Sequence, residues 1–302
     1  MANQSNIQKQ IADQIIASLA DGNLPPWRKP WLNDPNAPGL HTSLSSGNAY
    51  RGINQLILQV SSARQNFKSQ RWGTYRQIQN NSASVRRGQK ATKIVLWKPV
   101  SRKRHDEQGK EVEDSFLVMR EFSVFNAEQT TGLDEFQVGF AQPAEDTCER
   151  YEHADAVIEA TNADICYGGN EAFYNSQQDF IQCPFRHQFD PPESFYETMF
   201  HELTHWTESP NRLNWDRSNG GYAMGELIAE IGSCFMMGEL GLPMAETFDN
   251  HATYVKGWLK GMSDDPKFIF KAAAQSAKTV DYLLGFSRNA EPVEAELEEV
   301  PF

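Results

Sequence analysis

Between residues 35 and 105 there is not one aspartate or glutamate, although the 302-residue chain carries forty of them. The same stretch holds thirteen lysines and arginines. Residues 1–34 are balanced with three of each sign, and residues 106–302 carry twelve basic against thirty-seven acidic side chains. The net charge of −12 therefore conceals a basic block followed by an acidic one. A generic solvated surface does not exclude carboxylates over seventy residues; a surface that attracts a polyanion by counterion release does. Long apolar runs are missing as well. No stretch approaches the 18 apolar residues of a membrane span, and the N-terminus lacks the apolar core of a signal peptide. No membrane partner and a cytoplasmic location are expected. The four cysteines (Cys148, Cys166, Cys183, Cys234) form no C-x-x-C pair. They read as reduced thiols, which excludes a disulfide frame and a zinc knuckle. The basic block has no polymerase-type carboxylate constellation, so catalytic priming is not expected of it.

The most specific chemistry lies in His201-Glu202-Leu203-Thr204-His205. Two histidines four apart share one face of a helix, so both imidazoles can reach a single cation. The carboxylate after the first histidine is placed to take a proton from water at that cation, as metal-dependent peptide hydrolysis requires. Asp190-Pro191-Pro192-Glu193 reads as a helix start, with Asp190 as N-cap and Glu193 closing a capping box. Phe195, Met199, Leu203 and Trp206 then recur at helical spacing until Pro210. The spacing predicts a helix of about five turns around the motif.

A second helix is predicted from near Tyr222 to Leu240, where Gly241-Leu242-Pro243 stops it. Glu226 and Glu230 sit one turn apart on one face of this otherwise apolar helix. Two such carboxylates need a cation or donors beside them. A catalytic metal with two histidines needs a third protein ligand, which a glutamate from a following helix can supply. We assign Glu230 as that ligand and Glu226 as the group that orients a ligand histidine through its other ring nitrogen. Spacing alone leaves the exchange of the two roles open. The expected cofactor is one divalent metal ion, with zinc favoured by the ligand types. Tyr222 is a candidate oxyanion donor.

In the basic block, Ile7, Ile11, Ile15 and Leu19 step by four and predict an amphipathic helix over residues 5–20, packed on a sheet. The prolines of Pro25-Pro26-Trp27-Arg28-Lys29-Pro30-Trp31 keep the next segment extended. A second helix opens at Tyr50-Arg51-Gly52-Ile53-Asn54, and another short helical stretch follows Trp72-Gly73-Thr74-Tyr75-Arg76. Val85 to Lys90 reads as a basic turn leading into a strand from Lys93 to Lys98, and another strand runs from Phe116 to Phe125. Cations interleaved with aromatics on strands and turns suit single-stranded nucleic acid, with phosphates on the cations and bases stacked on the rings. Arg51, Arg71, Arg76, Arg86, Arg87, Lys90 and Lys93 are the phosphate candidates. Trp27, Trp31, Trp72, Tyr75 and Trp97 are the stacking candidates, although a domain this size needs some of them for its core.

The series G-x-x-P-P-W-R-K-P-W, Y-R-G-I-N, W-x-T-Y, V-R-R-G-Q-K and V-F-N-A-x-Q resembles the N-terminal domain of ArdC-type antirestriction proteins. That domain is similar to one in TraC-type conjugative primases, and the resemblance runs through nearly all of residues 5–130. Ala91 stands where glycine is usual. Further on, H-E-L-T-H-W, R-L-N and Y-A-x-x-E-L-I-A-E-I-G resemble the zincin-like peptidase domain that follows it in ArdC proteins. The layout is also similar to Spartan-type proteases, which join a DNA-binding element to an H-E-x-x-H site. Matching residue by residue carries over His201, Glu202, His205 and the Glu226/Glu230 pair. Gly225 stands where many relatives have another glutamate.

The expected fold is α/β (α+β) in two domains. A small mixed α/β domain for single-stranded DNA spans 1–130, a linker 131–150, a zincin-like metallopeptidase domain 151–286, and an acidic disordered tail 287–302. The resemblance implies a plasmid antirestriction protein that protects incoming conjugative DNA, with single-stranded DNA and an unknown protein substrate as partners. The competing expectation is a strand-coating or replication-accessory protein whose metal site is structural or vestigial. Glu202 speaks against it, because a purely structural site has no use for a general base.

Overall fold

The computed structural model describes residues 2–20, 25, 36, 39–105, 111–138, 148–215, 221–244 and 252–288. In chain order these form α1 (Ala2–Ala20), β1 (Thr42–Ser43), α2 (Ile53–Gln65), β2 (Arg71–Thr74), α3 (Tyr75–Asn80), β3 (Ser84–Val85), β4 (Thr92–His105), β5 (Glu111–Asn126) and β6 (Thr130–Thr131). There follow α4 (Cys148–Ala160), β7 (Asp164–Tyr167), β8 (Phe173–Asn175), β9 (Phe180–Cys183), α5 (Glu193–Trp206), α6 (Gly221–Glu239), α7 (Ala252–Asp264) and α8 (Phe268–Ser287). The chain divides into two compact units, Met1–Ala144 with Asn250–Lys271, and Glu145–Asp249 with Ala272–Phe302. The α/β expectation in two domains therefore holds; by its contacts α7 groups with the first unit. Residues 130–138, expected to open the linker, also belong there. Leu133 is fully buried, and the Ser69 hydroxyl donates to the Phe136 carbonyl at 2.7 Å. The expected tail falls almost wholly outside the described residues. No described helix is long and apolar enough to cross a membrane.

In the first unit the sheet order is β1-β2-β5-β4, with β1 parallel to β2 and the other neighbours antiparallel. On α1, Ile7, Ile11, Ile15 and Leu19 are all buried, as their four-residue step predicts. Helices α2 and α7 are the main neighbours of that stripe, where the sequence suggested the sheet. Polar side chains lock the loops. Asn54 bonds both ways to the Val95 backbone, at 2.8 and 2.9 Å, and fastens α2 to β4. Asn126 accepts from the Glu128 amide at 3.0 Å, and its own amide nitrogen donates to the Ser69 carbonyl at 2.7 Å. Trp72, one of the expected stacking residues, is instead core. It is fully buried, its indole N–H donates to His41 Nδ1 at 3.0 Å, and its ring meets Phe67 edge-on. A base has no access to it. Gly73 beside it lies close under Leu44, and a Cβ there would lie 2.7 Å from Leu44 Cδ1 and turn that side chain aside.

The second unit has a three-stranded sheet in the order β7-β9-β8, with β7 parallel and β8 antiparallel to β9. Helix α5 buries Phe195, Met199, Leu203 and Trp206 on the predicted face. It is shorter than the five turns expected, because it starts at Glu193 and ends at Trp206. The expected capping box is not formed. Pro192 is the N-cap without a side-chain hydrogen bond, and the Glu193 carboxylate accepts from the Tyr151 hydroxyl of α4 instead. Helix α6 is buried from Met224 to Gly238, as its all-round apolar sequence demands. Two contacts set α5 against α6. Ser233 donates to the Glu197 carbonyl at 2.7 Å, and Gly232 faces Thr204 so closely that an added Cβ would lie 2.8 Å from Thr204 Oγ1. From the other side, Ser276 of α8 donates to the Ile228 carbonyl of α6 at 2.9 Å. These contacts fix the axial position of α6, and with it the height of its two glutamates.

Candidate metal centre and nucleic-acid surface

His201 and His205 lie one turn apart on α5, with ring centroids 5.0 Å from each other. Glu226 of α6 faces both. One of its oxygens is 3.6 Å from His201 Nε2 and the other is 3.5 Å from His205 Nε2. One ligand atom from each of these three residues fits within 4.8 Å of the others. A tetrahedral ion with bonds of about 2.0–2.1 Å sets its ligand atoms roughly 3.3–3.4 Å apart, so these separations suit a divalent cation. The geometry thus brings together both histidines and Glu226, where the sequence favoured Glu230. Glu230 lies behind instead, with an oxygen 4.0 Å from His201 Nδ1. The reason is the close approach at Gly232, which sets Glu226 opposite the Nε2 atoms and leaves Glu230 one turn further along.

Glu202 is 7% exposed. Burial pushes its carboxyl above the usual glutamate range; the nearby His201 opposes this, Glu226 adds to it, and an N–H bond from the Tyr174 backbone opposes it. Burial also disfavours charge on His201, but a hydrogen bond to Glu226 and the charges of Glu202, Glu230 and Glu226 outweigh it, so its pKa is raised. Three buried carboxylates thus surround two imidazoles. That negative excess is what a bound cation would offset, so the donor set fits a metal ion.

Two features of the site escaped the sequence reading. Glu208 places an oxygen 4.0 Å from His205 Nδ1, and the i+3 spacing was the available signal. The other is a clamp at the end of α5. Arg212 stacks over the Trp206 ring at 4.0 Å, binds both oxygens of Asp179, and donates to the Tyr174 hydroxyl at 3.0 Å. The same hydroxyl donates to Asp179 at 2.8 Å. Tyr174 is on edge strand β8, so the clamp holds that strand beside the motif helix while the Tyr174 amide holds Glu202. Trp215 stacks on His205 at 6.2 Å between ring centroids. Tyr222, the oxyanion candidate, is 61% exposed.

Of the proposed DNA contacts, Arg51, Arg76, Arg87, Lys90 and Lys93 are exposed. Tyr75 and Trp97 are 52% and 36% exposed. Arg86 is also exposed, but its guanidinium is engaged by the carbonyls of Thr130 and Glu128. Arg71 is half-buried and donates to Thr42 Oγ1 at 2.8 Å; burial lowers its pKa. Both arginines hold the fold, which leaves them less able to turn toward a phosphate. Trp27 and Trp31 lie outside the described residues.

Residues 5–125 match the N-terminal domain of anti-restriction factor ArdC, and residues 152–275 match the zincin-like metallopeptidase family. The crystal structure of the antirestriction ArdC protein from plasmid R388, in its metal-free form, superposes with a TM-score of 0.75 at 36% identity, covering 93% of this chain and 98% of that one. The chain belongs to the ArdC family. The Mn(II)-bound ArdC structure matches with a TM-score of 0.74 at 35% identity over the same shares. A DNA primase TraC of Escherichia coli is 36% identical across 93% of the chain, which spans only 27% of that primase. In this ArdC family member the zincin-like domain carries the His201, His205 and Glu226 cluster described above.

Proposed function

We propose that this chain binds single-stranded DNA with its first unit and hydrolyses a protein on that DNA with its second, so protecting an incoming plasmid from restriction. The observation that carries the reading is the convergence of His201, His205 and Glu226 beside Glu202, in a chain of the ArdC family. His201, His205 and Glu226 would hold one divalent ion, zinc by ligand type, although the R388 protein is described as binding Mn(II). Such an ion acts as a Lewis acid on a peptide carbonyl and acidifies water. Glu202 takes the proton from the attacking water and returns it to the leaving amine. Burial, which raises its pKa, makes it easier for Glu202 to hold the proton between those two steps. Glu230, 4.0 Å from His201 Nδ1, is placed to orient that imidazole from its far side. Arg51, Arg76, Arg87, Lys90 and Lys93 contact phosphates, and Tyr75 and Trp97 stack on bases. DNA held by the first unit raises the local concentration of proteins bound to the same strand.

Two results follow. With about five phosphate contacts, a log–log plot of single-strand affinity against salt should fall with a slope of about −3.5. A flat plot in a fluorescence-anisotropy titration would remove the DNA assignment. In plasmid transfer into a restricting recipient, Glu202→Gln should abolish protection while DNA binding stays intact. Unchanged protection would favour the strand-coating alternative.

A further inference from the structure

A groove of about 390 Å³ opens in the first unit between α1, α2 and the beginning of β4. Its floor is apolar, built from Ile7 and Ile11 of α1 and Ile57 and Val60 of α2, all of them buried. Its rim is polar, and three of its six exposed side chains outside β5, Gln10, Gln14, Arg64, Gln65, Lys90 and Lys93, are cations. Glu121 is the one carboxylate in the lining. Among the described residues, neither Arg64 nor Lys90 has an ion-pair partner, while Lys93 reaches only the Ser123 hydroxyl, at 2.7 Å. Three cations and three side-chain amides around an apolar slot complement what one nucleotide presents: a charged phosphate, a flat apolar face and a hydrogen-bonding edge. The volume lies within the range of small-ligand sites.

We propose that this groove seats one unstacked nucleotide of a bound DNA strand, with Arg64, Lys90 and Lys93 on its phosphates and Gln10 and Gln14 beside its base. The proposal rests on the reading that the first unit binds single-stranded DNA, and it adds α1 and Arg64, which that reading did not include.

The test uses the full chain and a thymine oligonucleotide carrying 5-iododeoxyuridine at each position in turn. Irradiation should crosslink the base to the Gln10–Gln14 part of the tryptic peptide that begins at Gln10, and a crosslink to Trp27 alone would count against the groove. Gln14→Trp, an exposed position that fills the slot without altering charge, should weaken single-strand binding about tenfold. Arg64→Gln should weaken it similarly and lower the salt slope by about 0.7. Lys68→Gln, a cation outside the groove, should do neither. Crosslinks confined to β4 and the Val85–Lys90 turn, with Gln14→Trp binding as tightly as wild type, would overturn the groove and leave the DNA reading standing. If wild type binds no single strand at low salt, that reading itself fails. Free thymidine monophosphate, added as competitor, separates the sources of the ligand. Displacement of the crosslink only at millimolar nucleotide assigns the groove to a strand, and displacement at micromolar nucleotide would overturn the proposal in favour of a mononucleotide site.

Discussion

Replacing Glu226 with alanine should lower the affinity for a divalent ion by about 10²- to 10³-fold. Binding free energies of about 10–16 kcal/mol for four-ligand zinc sites average roughly 2.5–4 kcal/mol per ligand. Glu226 offers an oxygen to each histidine Nε2, at 3.6 and 3.5 Å, so no other carboxylate can take its place without moving α6. Glu230→Ala removes a group on the far side of His201, 4.0 Å from Nδ1, and should cost only about 10- to 100-fold. Competition with a chelating dye measures both variants. Near-equal losses, or a larger loss for Glu230→Ala, would return the ligand role to Glu230.

Gly232→Ala should destabilise the protein by about 1–3 kcal/mol and weaken metal binding with it. The added Cβ meets Thr204 Oγ1 at 2.8 Å and Cγ2 at 2.9 Å, inside a contact where both helices are buried. The strain is transmitted to the site, because the Gly232 contact sets where Glu226 stands relative to Nε2 of the histidines. Thr204→Ala removes both clashing atoms, at the loss of its 2.7 Å hydrogen bond to the Phe200 carbonyl. The double variant should therefore be more stable than the sum of the single losses predicts, by at least about 0.5 kcal/mol in chemical denaturation. Simple additivity would mean that α5 and α6 are not held by this contact.

The metal helix was legible because its signal is local: Phe195, Met199, Leu203 and Trp206 fix the buried face, and the motif spacing follows from it. What the sequence could not settle was the choice between Glu226 and Glu230. Both occupy one face of α6, and the choice depends on an axial offset between two helices. That offset is set by Gly232, Thr204 and Ser233, none of which carries chemistry of its own. The capping box failed for a similar reason, because Tyr151, forty-two residues earlier, captures Glu193. In the first unit, charge was a sound guide to the surface and aromaticity a poor one. Trp72 and Trp97 look alike in sequence, yet one is core and the other 36% exposed. Arg71 and Arg86 were indistinguishable from Arg76 and Arg87 until their partners in loops far along the chain were known.

The most direct test of the account is the metal content of the purified wild-type protein after zinc or manganese is offered and excess ion is removed. The arrangement of His201, His205 and Glu226 predicts one equivalent per chain, lost in Glu226→Ala. No retained ion in a protein that is folded and binds DNA would contradict it, and the two helices would then be scaffold.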